Sequence, residues 1–336
     1  MARIDELRLM AKIARMYYTD GLRQTEICAR LRIHQSTVSR VLKRAEVEGI
    51  VRITVSLPAG THTDIEDALQ SAYGLDDAVV VDCLAAEEQI AHDLGAAAAF
   101  YLETTLNPDD VIGISSWSAS LLAMVDAMHP SQRWKNARVV QILGGVGNPN
   151  AELHASQVTR RLAELLGGDA TLLPAPGVVG SRQARDVLIN DRFVREALGL
   201  FPSVTIALVG IGATEPSRAL RSSGNVFSPQ EIKLLAENGA VGDICLRFFD
   251  EAGKPVVTEL NERVISMELD QLRAVRRVVG VAGGSRKVAA LRGALRGGFV
   301  NVLITDLKSA EQLLAEDAAA PAHSSRAPSR KPVKTR

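Results

Sequence analysis

The chain has 336 residues, 46% hydrophobic and 4% aromatic, an apolar fraction that excludes a fibrous or mostly disordered protein at a length suited to two domains. No apolar run reaches the roughly eighteen residues of a membrane span, and MARIDELRLMAKIARMYY lacks the basic cap and cleavage site of a secretory signal, so a cytoplasmic protein is expected. The zero net charge hides an asymmetry: residues 1–55 hold eleven Lys+Arg against six Asp+Glu, residues 318–336 hold five basic and no acidic residues, and residues 56–317 hold 23 basic against 33 acidic.

A basic head on an acidic body suggests a module that meets a polyanion. In that head Leu7, Met10, Ala11, Ile13, Ala14 and Tyr17 recur at helical spacing, and Gly21 is a plausible left-handed stop. A short second helix carries Ile27, Cys28 and Leu31 inward. Arg32-Ile33-His34 breaks it, and a third helix from Gln35 has Val38, Val41, Leu42 and Ala45 on its buried stripe. Residues 50–55 alternate like a strand until Pro58-Ala59-Gly60. Next, Ile65, Leu69 and Ala72 form a short apolar stripe expected to join protomers or domains.

From about residue 75 short β-branched runs (78–81, 111–114, 138–143, 204–209, 276–281 and 301–305) alternate with helical patterns such as 89–102, 120–128 and 156–166. That alternation implies a doubly wound, largely parallel sheet covered on both faces. Several runs end in Gly- or Ser-rich turns, the edge where open α/β sheets bind ligands. The last eighteen or so residues, rich in Ala, Pro, Ser, Arg and Lys, read as a disordered tail. The expected organisation is 1–57 DNA-binding, 58–75 linker or oligomerisation helix, 76–317 effector domain and 318–336 tail.

Residues 24–31, a three-residue break and residues 35–42 have helix-turn-helix spacing. The candidate contacts to double-stranded operator DNA are Gln24 and Thr25 on the first helix and Gln35, Ser36, Thr37, Ser39, Arg40 and Lys43 on the second. Arg40 is the expected guanine or phosphate contact, with Lys43 and Arg44 nearer the backbone. In the body, residues 113–120 place small residues and hydroxyls between a strand and a helix, a geometry in which backbone N–H groups can face an oxygen-rich ligand. The glycines match neither a dinucleotide fingerprint nor a phosphate-binding loop of nucleoside triphosphatases.

Catalysis would need a positioned acid and base. Asp243, Asp306, Glu262 and His154 are available, but no local arrangement pairs them. Cys28, Cys83 and Cys245 stand far apart, with no His at metal spacing, so neither a metal nor a cofactor is expected. Binding without turnover is therefore favoured, the alternative being a sugar-phosphate isomerase- or deaminase-like enzyme with an accessory nucleic-acid-binding head.

Residues 13–18 and 36–40, with 113–121, 143–147, 207–213, 239–244 and 281–287 in that order, resemble the SorC/DeoR group of bacterial sugar-binding transcriptional regulators. The resemblance implies a winged-helix-like head, a sugar-isomerase-like effector domain without catalysis, a sugar, polyol or sugar-phosphate effector, and a homo-oligomer, dimeric or tetrameric. It further implies that Ser115, Ser116, Ser118 and Ser120, with Gly284 and Lys287, hold the anionic or hydroxyl-rich end of the ligand. Asp243 accepts from sugar hydroxyls, His154 and Arg221 close the pocket, and Gly144, Gly145 and Gly212 line it. The chain departs from the group's pattern at Trp117-Ser118, where many relatives have tryptophan then glycine, and at Leu143, where some carry a charge.

Overall fold

The computed structural model describes residues 2–51, 61–83, 86–131, 133–134 and 137–319. The chain divides into two units, Met1–Ala59 and Gly60–Arg336.

In the first unit, α1 (Ala2–Ala14) runs into a wide π-helical turn, Arg15–Thr19. The wider turn advances the helix face, so Met16 packs on the core and Tyr17, expected inward, is exposed. Gly21 is left-handed as anticipated (φ 68°). The helices α2 (Gln24–Leu31) and α3 (Gln35–Val47) flank a break at Arg32, itself left-handed at φ 53°. Ile13, Ile27, Val38 and Leu42 form the core, with Met10, Ala14 and Ala45 in a second cluster. After α3 the Val51 N–H closes back onto the Ala45 carbonyl. Most of the strand expected over 50–55 lies outside the described residues.

The second unit opens with α4 (Thr63–Tyr73), the helix expected to join protomers or domains. Its stripe is used within the chain: Leu69 is fully buried, Ile65 packs on the core, and Tyr73 donates to the Leu313 carbonyl. Ala72 instead faces outward. Then follow β1 (Asp77–Val81), α5 (Glu87–Thr105), β2 (Val111–Ile114), α6 (Ala119–Ala127), β3 (Arg138–Gln141), α7 (Pro149–Leu166), β4 (Asp169–Thr171), α8 (Arg182–Ile189) and α9 (Arg192–Leu198). The chain continues through β5 (Ile206–Val209), β6 (Gly212–Ala213), α10 (Arg218–Ser223), α11 (Pro229–Glu237), β7 (Gly242–Ile244), β8 (Arg247–Phe249), α12 (Leu269–Ala274), β9 (Arg277–Val281), α13 (Val288–Arg296), β10 (Val302–Asp306) and α14 (Leu307–Ala319).

Seven strands form one parallel sheet in the order β1-β10-β9-β5-β2-β3-β4. Its alternating side chains feed two cores: Ile206 and Leu208 join one, Ala207 and Val209 the other. The strands β6, β7 and β8 make a small antiparallel sheet. From β2 the chain builds toward β4, and from β5 it builds toward the opposite edge. The carboxyl ends of β2 and β5 therefore diverge at a topological switch point, where α/β sheets hold ligands.

Candidate functional site

On α3 the buried Val38, Leu42 and Ala45 fix which face is left outside. Gln35, Ser36, Ser39, Arg40 and Lys43 are exposed and Thr37 is half-buried. Ser36, Ser39, Arg40 and Lys43 recur at three and four, so they share one face. Neither Arg40 nor Lys43 has a salt-bridge partner among the described residues. Arg44 does: it bonds Glu6 and Glu48, each at 2.6 Å. Arg44, expected near the DNA backbone, ties α3 to α1 through Glu6. At the start of α2, Thr25 is exposed and Gln24 half-buried, and Glu26 accepts from the Arg23 N–H at 2.7 Å.

In the second unit the turns after β2, β3 and β5 are stitched together. Ser115 Oγ accepts from the Gly210 N–H (3.3 Å). Ser116 Oγ donates to the Leu143 carbonyl (3.2 Å) and accepts from Gln141 Nε2 (2.9 Å). Ser118 Oγ caps α6 by accepting from the Leu121 N–H (3.3 Å). Three of the four hydroxyls expected to hold a ligand thus build the loop. Ser120 is buried and makes no side-chain hydrogen bond among the described residues. Gly210 is required by close approach: a Cβ there would meet Ser118 Oγ at 2.7 Å. Gly144 and Gly145 lie on the same edge, packed on Pro176 and Gln141.

The small sheet carries Asp243 to this edge. Gly212 pairs with Asp243 across β6 and β7, and the Asp243 carboxylate lies where a Gly212 side chain would be. Asp243 is 9% exposed, and its Oδ2 accepts from the Leu246 N–H at 2.9 Å. Between them Cys245 and Leu246 are both left-handed (φ 54° and 62°), an unusual conformation for residues with a Cβ. Burial pushes the Asp243 carboxyl up to about 6, against the lowering effect of that hydrogen bond and of Lys287. Burial lowers Lys287, opposed by Glu87 and Asp243. Lys287 sits on the turn Ser285–Lys287 ahead of α13, whose Ala290 packs against Gly242 of β7. Gly284, at φ 95°, donates to Asp306 Oδ2 (2.7 Å) and Ser309 Oγ (3.0 Å), which pins that turn.

Arg221 is not brought in: it lies on α10, is exposed and pairs with Glu215 at 3.6 Å. His154 falls in α7, with its side chain outside what the structure describes. Sequence reasoning missed Gln141, and it offered Asp306 only as an available acid, not as the acceptor that pins the Gly284 turn. A glutamine inside an otherwise apolar run, Val139-Val140-Gln141-Ile142, was the available signal for Gln141. A cavity of about 10 Å³ touches Asp243, Leu246, Thr214 and Phe227. A groove of about 1160 Å³ runs beside β4, α8 and α9 over Leu172, Val187 and Phe193. None of the expected effector residues lines it. Among the described residues no group of His, Cys, Asp and Glu has a metal-binding arrangement, and no helix is long and apolar enough to cross a membrane.

Residues 58–315 match the family described as "Putative sugar-binding domain", and residues 6–52 match a homeodomain-like domain. The sorbitol operon regulator of Klebsiella pneumoniae is 32% identical over 94% of this chain and 100% of its own length. The chain belongs to the SorC/DeoR family of sugar-binding transcriptional regulators. The deoxyribonucleoside regulator of Bacillus subtilis is 33% identical over 92% of this chain and 98% of its own. The crystal structure of full-length SorC from K. pneumoniae superimposes with a TM-score of 0.71, at 30% identity, over 92% of this chain and 98% of that one. A solved domain of transcriptional regulator DeoR from Pseudomonas syringae pv. tomato, under the same domain description, is 45% identical with a TM-score of 0.60 over 76% of this chain and 99% of its own. As a SorC/DeoR protein, this chain is a sugar-responsive, DNA-binding transcriptional regulator.

Proposed function

We propose that a small sugar, polyol or sugar phosphate binds at the sheet edge between β2 and β5 and sets the affinity of α3 for operator DNA. One observation carries this reading: the turns after β2, β3 and β5 are hydrogen-bonded into one sheet edge, Gly212 at that edge abuts the buried Asp243 carboxylate, and Lys287 lies near enough to act on its charge. Asp243 accepts hydroxyl donors, Lys287 and the Gly284 turn receive an anionic or oxygen-rich end, and Ser120, Gly144, Gly145 and Gly212 line the cleft. Ser115, Ser116 and Ser118 shape it. His154 and Arg221 close it, Arg221 by leaving Glu215 and moving inward with the ligand. Gln24, Thr25, Gln35, Ser36, Thr37, Ser39, Arg40 and Lys43 form the DNA face. One helix-turn-helix reads a single half-site, so the working regulator is a homo-oligomer presenting paired heads.

The test is a thermal-shift screen of D-sorbitol, D-ribose, 2-deoxy-D-ribose and their terminal phosphates. A ligand at a hundred times its Kd stabilises by about 2.7 kcal/mol. Stabilisation lost in both Asp243→Ala and Lys287→Ala supports the pocket, and stabilisation retained in both refutes it. A buried Asp shifted to about 6 beside a lysine also suits acid–base chemistry, which favours a second reading as a sugar-phosphate isomerase or deaminase. Turnover of a panel phosphate, abolished by Asp243→Asn, would establish that reading instead.

A further inference from the structure

Trp117 lies in the loop between β2 and α6, and two features of it are unfavourable. Its backbone is left-handed (φ 66°), a region that a residue with a Cβ seldom occupies. Its indole Nε1–H is buried without a hydrogen-bond partner, which costs the full desolvation of a donor. Trp134, the second tryptophan of the chain, is buried too, but its indole N–H donates to the Leu106 carbonyl at 3.2 Å. The neighbours of Trp117 are fixed: Ser116 bonds Gln141 and Leu143, and Ser118 caps α6. The strain therefore falls on the residue between them. Its side chain is partly buried and packs against the larger of the two cores of this unit.

We propose that Trp117 is a specificity-determining donor of the effector pocket, its Nε1–H given to an oxygen of the bound sugar, polyol or phosphate. This rests on the pocket assigned above. An indole N–H donates and never accepts, so the ligand must present an acceptor oxygen at that point, and an analogue lacking it leaves the donor unsatisfied. Because the nitrogen is covered, the indole turns toward the ligand as it binds.

Trp117→Phe keeps the ring and removes the donor. The ligand-free variant is expected to melt at or above the wild-type temperature, because an unsatisfied buried N–H is gone. Its affinity for the panel member that stabilises the wild type is expected to fall roughly 3- to 10-fold, more if the acceptor is a phosphate oxygen. In a Trp134→Phe background, emission comes from Trp117 alone and is expected to shift on adding that compound. A ligand-free Trp117→Phe protein that melts below wild type, or unchanged affinity, or unchanged Trp117 emission at saturation overturns the donor role. If the inference alone is wrong, Asp243→Ala and Lys287→Ala still weaken binding while Trp117→Phe does not. If the panel binds neither the wild type nor any variant, it is the pocket that fails.

Discussion

Asp243 and Lys287 act on each other's charge without closing to an ion pair. Each favours the charged form of the other, yet burial dominates both, raising the carboxyl and lowering the ammonium. Two buried opposite charges held near each other but apart make this edge of the protein sensitive to pH.

The sign follows from the raised carboxyl. Asp243 at about 6 in the folded chain, against an ordinary 3.8, binds its proton more tightly when folded. Its contribution to stability is present in full below pH 4 and is lost as pH rises through 6. Asp243→Asn is therefore expected to flatten the stability profile between pH 4 and 6 and to stabilise the empty protein at pH 8 by on the order of 2–3 kcal/mol. Chemical denaturation at several pH values checks this, and a variant less stable than wild type at pH 8 would count against the buried charge.

The DNA face separates three basic residues of α3. Arg40→Ala should weaken operator binding most. Lys43→Ala should weaken all sequences alike and reduce the slope of log affinity against log salt by about one. Arg44→Ala should leave that slope unchanged, because Glu6 and Glu48 already hold the guanidinium, and should lower the melting temperature of the head. Anisotropy titrations over a range of salt distinguish the three.

Close approach at the cleft can be tested by adding one methyl group. A Cβ at Gly144 would lie 2.4 Å from the Pro176 carbonyl oxygen, a backbone atom that cannot step aside, whereas Gly180 has nothing within 4 Å. Gly144→Ala should cost about 1–3 kcal/mol and Gly180→Ala well under 1, measured by urea unfolding.

The main sheet was legible because a strand buried on both faces must be written in β-branched residues. Residues 111–114 and 78–81 announce β2 and most of β1 for that reason. The small sheet was not: β6 is the pair Gly212–Ala213 and β7 is Gly242–Ile244, too short to show a period. Edge strand β4, Asp169–Thr171, carries no apolar run because it is mostly exposed. At the site, residue types were readable but not their commitments. A serine offers the same hydroxyl to a ligand or to its own backbone, and only the folded geometry shows Ser115, Ser116 and Ser118 engaged. Likewise Arg44 reads as a DNA contact until α1 brings Glu6 beside it, and the left-handed backbone of Trp117 has no signature in its neighbours.

The central claim is that an effector at Asp243 and Lys287 changes how α3 holds DNA. The direct measurement is operator affinity with and without the stabilising compound, paired with the affinity for that compound with and without operator. Linkage requires the two ratios to be equal, and five- to 150-fold is the expected range. Lys287→Ala should reduce the response to a phosphorylated compound more than to its neutral parent, and Asp243→Ala should reduce both. Equal ratios that collapse toward one in the two variants are the predicted result. Operator affinity indifferent to a compound that demonstrably binds, or a full response surviving in both folded variants, would contradict the account.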